Sequence, residues 1–241
     1  MNEIEGHILD YAGRVGQFSA AQLEEHLRSV QRDVPTASLY YYLNRMIRQN
    51  SLARMTRGVY SAVSVKPEFK ATVTEGMTEI FSILHRALPF ADFCLYMGTE
   101  ITPFQHNMAA NNILYVETQR DTCDSAFNVL KDAGKAVYVR PDKEMINRYV
   151  SLSETAVFVK PLISESPVHS LDDGMKTPTL EKLLVDINAD DDFFYLQGEE
   201  AFYIFRDAVE KYGINEARLL RYARRRNLEH VIKGYMEEAG V

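Results

Sequence analysis

Val34-Pro35-Thr36-Ala37-Ser38-Leu39-Tyr40-Tyr41-Tyr42-Leu43-Asn44-Arg45-Met46-Ile47-Arg48 is the stretch on which the reading of this chain turns. Proline presets the start of a helix over roughly 36–49. Leu39, Leu43 and Met46, with Ile47 beside them, recur at helical spacing and form a core-facing stripe. Ser38, Tyr41, Arg45 and Arg48 are spaced 3, 4 and 3, so they project from the opposite side, with Asn44 alongside. A hydroxyl, a phenol, an amide and two guanidinium groups suit a helix that reads base edges in a major groove. Thr36 stands where a helix N-terminus meets a phosphate. Tyr42 and Tyr40 are expected to pack inward, leaving Tyr41 at the surface.

Working outward, residues 3–13 read as a helix through Ile4, Ile8 and Tyr11, with Gly13 as its C-cap. Phe18-Ser19 followed by Gln22 is a capping box with an apolar residue before the cap, and it opens a second helix carrying Ala20, Leu23 and Leu27. Gln31-Arg32-Asp33 is a polar break. After the third helix, 52–63 reads as a hairpin with its turn at 56–58, and Arg54 and Arg57 are placed to touch a nucleic-acid backbone or minor groove. Helix, helix, helix and hairpin describe a winged helix-turn-helix over residues 1–67. The competing reading is a protein-docking module with an ordinary solvated basic face.

The net charge of −7 over 241 residues conceals a division. Residues 1–66 sum to +2 and 67–241 to −9, and 32–66 alone hold +5. A local patch, not the total, attracts phosphate. Apolar residues make up 46% and charged residues 25%, which excludes disordered and fibrous classes. No apolar run approaches membrane-span length, and residues 1–10 lack a signal-peptide pattern, so a cytoplasmic chain without membrane association is expected. Cys94 and Cys123 are too few for a disulfide framework or an unaided zinc site and read as buried thiols.

Lys66-Pro67 breaks the hairpin, placing the boundary near 68. A helix over 72–87 follows, carrying Met77, Ile80, Phe81 and Leu84 on one face. Strands at 93–97, 112–117, 136–139 and 155–159 alternate with helices at 101–108, 124–133 and 141–149. This predicts an α/β part, 68–175, built on about four strands. The remainder, 176–241, reads as helical: 179–190, 199–211, 215–226 and 228–238. The expected class is thus mixed α+β and α/β.

Catalytic patterns are incomplete. Gly98-Thr99 followed by a strand ending at Glu117 is similar to a nucleotidyltransferase site, where paired carboxylates hold two metals. Gln119 stands where the second carboxylate is required, although Asp121 and Asp124 lie just beyond. Asp92, Glu117 and Lys135 lack the order of a nuclease site. The six histidines have no metal-site spacing, and no phosphate-binding loop or nucleophile elbow occurs. No cofactor, metal or catalytic residue is therefore expected. Asp190-Asp191-Asp192 reads as a solvated loop. Arg218, Arg221 and Arg225 share a helical face beside Tyr222, and either bind phosphate or a partner or pair with acids of their own domain.

Arg57-Gly58-Val59-Tyr60, the segment Thr177-Pro178-Thr179-Leu180-Glu181-Lys182-Leu183-Leu184-Val185-Asp186, and Leu219-Leu220-Arg221-Tyr222-Ala223 together resemble the AbiEi family of antitoxins and antitoxin-like transcriptional regulators. The resemblance implies a type IV toxin–antitoxin component that binds double-stranded DNA at its own operon promoter. It also implies a second domain that opposes a nucleotidyltransferase-like toxin, with or without direct contact. No catalytic residue carries over. Glu181, Lys182 and Asp186, read physically, steady a helix start through local ion pairs. The alternative class is a nucleic-acid-processing enzyme, nucleotidyltransferase- or nuclease-like, delivered to its substrate by the winged helix.

Overall fold

At Ser19 the capping box closes as its spacing demands. The Gln22 amide donates to Ser19 Oγ at 3.2 Å, and the Ser19 amide donates to Gln22 Oε1 at 2.8 Å. The computed structural model describes all residues except 1, 2, 31, 33, 50, 63–65, 108 and 153. The chain divides into two compact units, Met1–Lys66 and Pro67–Val241. Parts of the expected polar break, hairpin end and linker fall outside the described residues.

The first unit runs α1 (Glu3–Val15), β1 (Gln17–Ser19), α2 (Ala20–Ser29), α3 (Thr36–Arg48), β2 (Leu52–Thr56) and β3 (Val59–Ala62). Gly13 does not end α1. The helix continues to Val15, and Gly16 takes the left-handed conformation at φ +74°, which costs glycine little. The short β1, absent from the sequence reading, makes a three-stranded antiparallel sheet in the order β1-β3-β2. Phe18 lies opposite Tyr60, and the register shifts between Arg54 and Thr56 before Gly58 turns at φ +82°. Ile8, Leu23, Leu27, Leu39, Leu43, Met46, Leu52 and Tyr60 form the core. Tyr42 is half-buried as expected, but Tyr40 is exposed, because its position on α3 points away from the Leu39–Leu43–Met46 stripe.

The second unit carries α4 (Glu75–Ala87), β4 (Cys94–Met97), β5 (Leu114–Thr118), α5 (Cys123–Asp132), β6 (Val137–Val139), α6 (Lys143–Tyr149), β7 (Val157–Pro161), β8 (Val168–Ser170) and β9 (Lys176–Pro178). Four helices follow: α7 (Leu180–Ala189), α8 (Glu199–Lys211), α9 (Glu216–Arg225) and α10 (Glu229–Ala239). The sheet has six strands, not about four, in the order β6-β7-β5-β4-β9-β8. The added pair, β8 and β9, reads Val168-His169-Ser170 and Lys176-Thr177-Pro178 and so lacks the apolar run that marks the equally short β6. It also moves the start of the helical section from 176 to 180. Between 98 and 104 two 3₁₀ turns, Gly98–Glu100 and Thr102–Phe104, replace the helix expected at 101–108, with Pro103 limiting the backbone donors.

β6, β7 and β5 are parallel neighbours, β4 runs antiparallel to β5, and β9 parallel to β4. Both sheet faces are covered, so the alternation of β5 and β7 separates two cores. Leu114, Val116, Val157 and Val159 face α4 and α5, with Met77, Ile80 and Leu130. Tyr115 and Phe158 face the helical section, with Leu183, Leu184, Phe205 and Tyr222. Glu117 and Lys160, cross-strand partners, continue that second set. Two ionisable side chains thereby enter the larger core. Cys94 and Cys123 are both buried free thiols. Among the described residues, no helix is long and apolar enough to cross a membrane.

Candidate functional site

The first candidate is the outward side of α3 and the β2–β3 hairpin. Thr36, Tyr41, Asn44, Arg48, Arg54 and Arg57 are exposed, and Ser38 is half-buried. Thr36 is the first residue of α3, with Pro35 at the N-cap making no side-chain cap. Its hydroxyl lies 3.5 Å from Glu24 Oε1. Arg45 departs from the expected free row. Its Nε lies 3.3 Å from Oε1 of the buried Glu5 on α1, and its side chain is 38% exposed. Arg45 is thus first a partner of Glu5, a pairing invisible from the α3 repeat because Glu5 lies forty residues upstream. Arg48, Arg54 and Arg57 make no ion pair among the described residues, so their charge stays at the surface.

The second candidate, which sequence reasoning missed, is a charge network inside the second unit. Lys182 on α7 is 1% exposed and donates to Glu117 Oε1 at 2.8 Å and to Asp186 one turn on. Tyr96 donates to the same Glu117 oxygen at 3.0 Å. On the far oxygen of Asp186, Tyr222 donates at 2.7 Å and Arg226 at 2.8 Å. Arg226 also reaches Asp190, which with Asp192 accepts from Lys160 at 2.8 and 2.9 Å. The Lys160 ammonium lies over the rings of Tyr115 and Phe193, at 4.9 and 5.0 Å.

Burial alone would drive the Lys160 and Lys182 ammonium groups toward neutrality. The carboxylates of Asp190 and Asp192 outweigh that for Lys160, as Asp186 and Glu117 do for Lys182, so both are held well above the usual lysine range. Burial likewise pushes Asp190 up, but Lys160 and Arg226 overcome it and hold its carboxyl well below the usual range. Four carboxylates facing three cations, each in hydrogen-bonded contact, fix α7, the 191–196 turn and α9 to the sheet.

Several expectations change here. Lys182 and Asp186 do make their local pair, and it lies inside the core, whereas Glu181 reaches away from α7 to accept from the Asn215 amide at 2.8 Å and to meet Arg218. The triple aspartate is not a solvated loop, since Asp192 is buried and Asp190 largely so, and only Asp191 is exposed. Glu117 is committed to Lys182 and Tyr96. The Gly98 turn is closed by the buried Asn111, whose Cγ would lie 2.1 Å from a Cβ at that position. Asn111 in turn donates to Tyr115 and Tyr195 at 3.0 and 2.6 Å. Among the described residues, no group of three or more His, Cys, Asp or Glu side chains is arranged to hold a metal ion.

The α9 arginines divide. Arg218 lies 3.6 Å from Glu181, Arg225 donates to Ser164 at 2.7 Å, and Arg221 is exposed and makes no ion pair among the described residues. Arg218 and Arg221 line an open groove against 165–168. Arg226, outside the expected face, is the arginine that enters the buried network. Only the i, i+4 spacing of Lys182 and Asp186 hinted at that network, because its other members meet through tertiary packing.

A polar, cationic helix face in one unit and an internally paired α/β layer in the other thus define the molecule. The chain belongs to a family of unknown function, DUF6577, whose family model matches residues 38–240. A comparison with curated proteins found no match.

Proposed function

We propose that the chain is a DNA-binding transcriptional regulator whose first unit is a winged helix-turn-helix, α3 being the recognition helix and β2–β3 the wing. The observation that carries this reading is the uncompensated polar side of α3 and the hairpin. Tyr41, Asn44, Arg48, Arg54 and Arg57 are exposed, and the three arginines face no carboxylate partner among the described residues. The element order and the β1-β3-β2 sheet support it. Tyr41, Asn44 and Arg48 read base edges, while Thr36, Ser38, Arg54 and Arg57 meet phosphates. Arg45 contributes from its post against Glu5.

The test is fluorescence anisotropy of the full chain on its own operon promoter across a salt series. Arg54→Ala/Arg57→Ala should flatten the salt dependence by about two phosphate contacts' worth, the slope falling by about one for each. Unchanged affinity and slope would make the unit a protein-docking module.

The second unit, in this proposal, is the antitoxin part of a type IV system in the cytoplasm, opposing a nucleotidyltransferase-like toxin. Its support is the resemblance to AbiEi antitoxins, whose segment Thr177–Asp186 forms the buried centre of the unit here. It performs no nucleotide transfer, a reading supported by Glu117 being held by Lys182 and by Asn111 filling the Gly98 turn. Full-length chain co-expressed with such a toxin should restore growth. Arg54→Ala/Arg57→Ala should rescue equally, and failure of the full-length chain to rescue would remove the antitoxin assignment.

A further inference from the structure

The carboxyl ends of the three parallel strands β6, β7 and β5 bring cations together from positions 120, 140 and 160. Val139 pairs with Val159 and Glu117 with Lys160, so the strands end nearly level. Arg140 follows β6 directly, its amide donating to Val159 O at 2.8 Å, and Arg120 lies two residues beyond β5. With Lys160 and Asp190–Asp192 they line an open cleft of about 330 Å³. In sheets of this kind, ligands sit outside the carboxyl ends of the strands.

The charges in the cleft are unevenly committed. Lys160 and Arg226 answer Asp190 and Asp192. Among the described residues Arg140 pairs with the exposed Asp124 alone, at 2.6 Å, a surface contact of the kind that yields readily. Arg120 is exposed and makes no ion pair among the described residues. Two guanidinium groups thus stand at the mouth, one of them in a yielding surface pair with Asp124, and among the described acids that line the cleft Asp191 alone is exposed. Arg140 also holds φ +45°, a left-handed conformation that side-chain-bearing residues adopt at a cost and that gathers at ligand sites.

We propose that this cleft binds a small phosphate ester, with Arg120 and Arg140 gripping the phosphate oxygens and Asp191 accepting a hydrogen bond from a hydroxyl or amino group of the ester. Guanidinium forks match phosphate oxygens in pairs, and the volume is that of a small-molecule site. Inorganic phosphate shares the anchor but not the Asp191 contact.

The test is calorimetric titration of the full chain, in phosphate-free buffer, with inorganic phosphate, AMP, ribose 5-phosphate and adenosine. At least one ester should bind more tightly than inorganic phosphate, and adenosine should not bind. Arg120→Ala and Arg140→Ala should each weaken the ester about tenfold, and Asp191→Asn should weaken the ester but not inorganic phosphate. Arg140→Gly, which relieves the left-handed strain, should keep or raise the melting temperature while weakening the ester as Arg140→Ala does, which separates binding from folding. No binding by any of the phosphates, binding of inorganic phosphate alone, or ester affinity unchanged by both arginine variants would each overturn the assignment. None of these outcomes depends on promoter binding by the first unit.

Discussion

The two units use the same charged residue types in opposite ways. In Met1–Lys66 the arginines of α3 and the hairpin mostly stand in solvent, and Arg45 is the exception, tied to buried Glu5. In Pro67–Val241 the decisive cations, Lys160, Lys182 and Arg226, are turned inward and answered by four carboxylates. An exposed guanidinium keeps its field for a partner, whereas a buried ammonium spends it on its own fold. The contrast teaches that net charge says little about function here. The acidic total of the second unit includes carboxylates no partner can reach, and the modest positive total of the first is almost all accessible.

The sharpest way to break this contrast is Lys182→Met. It should cost about 3–5 kcal/mol, because buried Glu117 and Asp186 both lose the Lys182 ammonium, leaving Lys160 at 3.8 Å from the one and Arg226 at 2.8 Å from the other. Urea denaturation followed by tyrosine fluorescence would measure this, and a loss below 1 kcal/mol would mean the network contributes little. Gly98→Ala should follow at about 1–3 kcal/mol, since its Cβ overlaps the Asn111 amide and backbone or side chain must move. Pairing it with Asn111→Ala should recover part of the loss, and strict additivity would contradict the contact.

On the exposed side, Arg48→Ala should leave unfolding unchanged and cost roughly 1–3 kcal/mol of discrimination between promoter and unrelated DNA. Arg45→Ala should instead lower stability, because the buried Glu5 carboxylate loses the guanidinium charge 3.3 Å away. Equal behaviour of the two variants would erase the distinction between a free and a paired arginine on one helix.

The depressed carboxyl of Asp190 predicts a pH dependence. Its contribution is present above the unfolded-state value, about 4, and is lost as pH falls through the lower folded-state value. Asp190→Asn should therefore be less stable than wild type at pH 7, and should lose less stability between pH 5 and pH 2. Parallel stability curves over that range would exclude the effect. The smallest change is expected at Arg224→Ala. This residue pairs with Glu229 at 2.8 Å on the surface, and removing it should leave the melting temperature unmoved within error.

How much of this was legible depends on whether the signal was local. Helices α4, α5 and α7–α10 announce themselves by 3.6-residue repeats, and the Ser19 capping box by its spacing alone. β1, β8 and β9 are no shorter than β6 but lack its run of apolar residues, and they exist because a neighbouring strand supplies their hydrogen bonds. The exposed arginines of α3 and the hairpin follow from helix geometry and turn chemistry. The pairing of Arg45 with Glu5 does not.

The charge division, the positions of the long helices and the outward polar side of α3 are written in local sequence, because each arises from neighbours within a few turns. Long-range packing alone joins Glu117, Lys160, Lys182, Asp186, Asp190, Asp192 and Arg226 into one network and sets Asn111 against the Gly98 turn. It alone also brought Arg120 and Arg140 to one end of the sheet. The reason is physical. A buried charge is tolerable only beside its counter-charge, and strand order and helix packing choose that counter-charge from residues far apart in the chain.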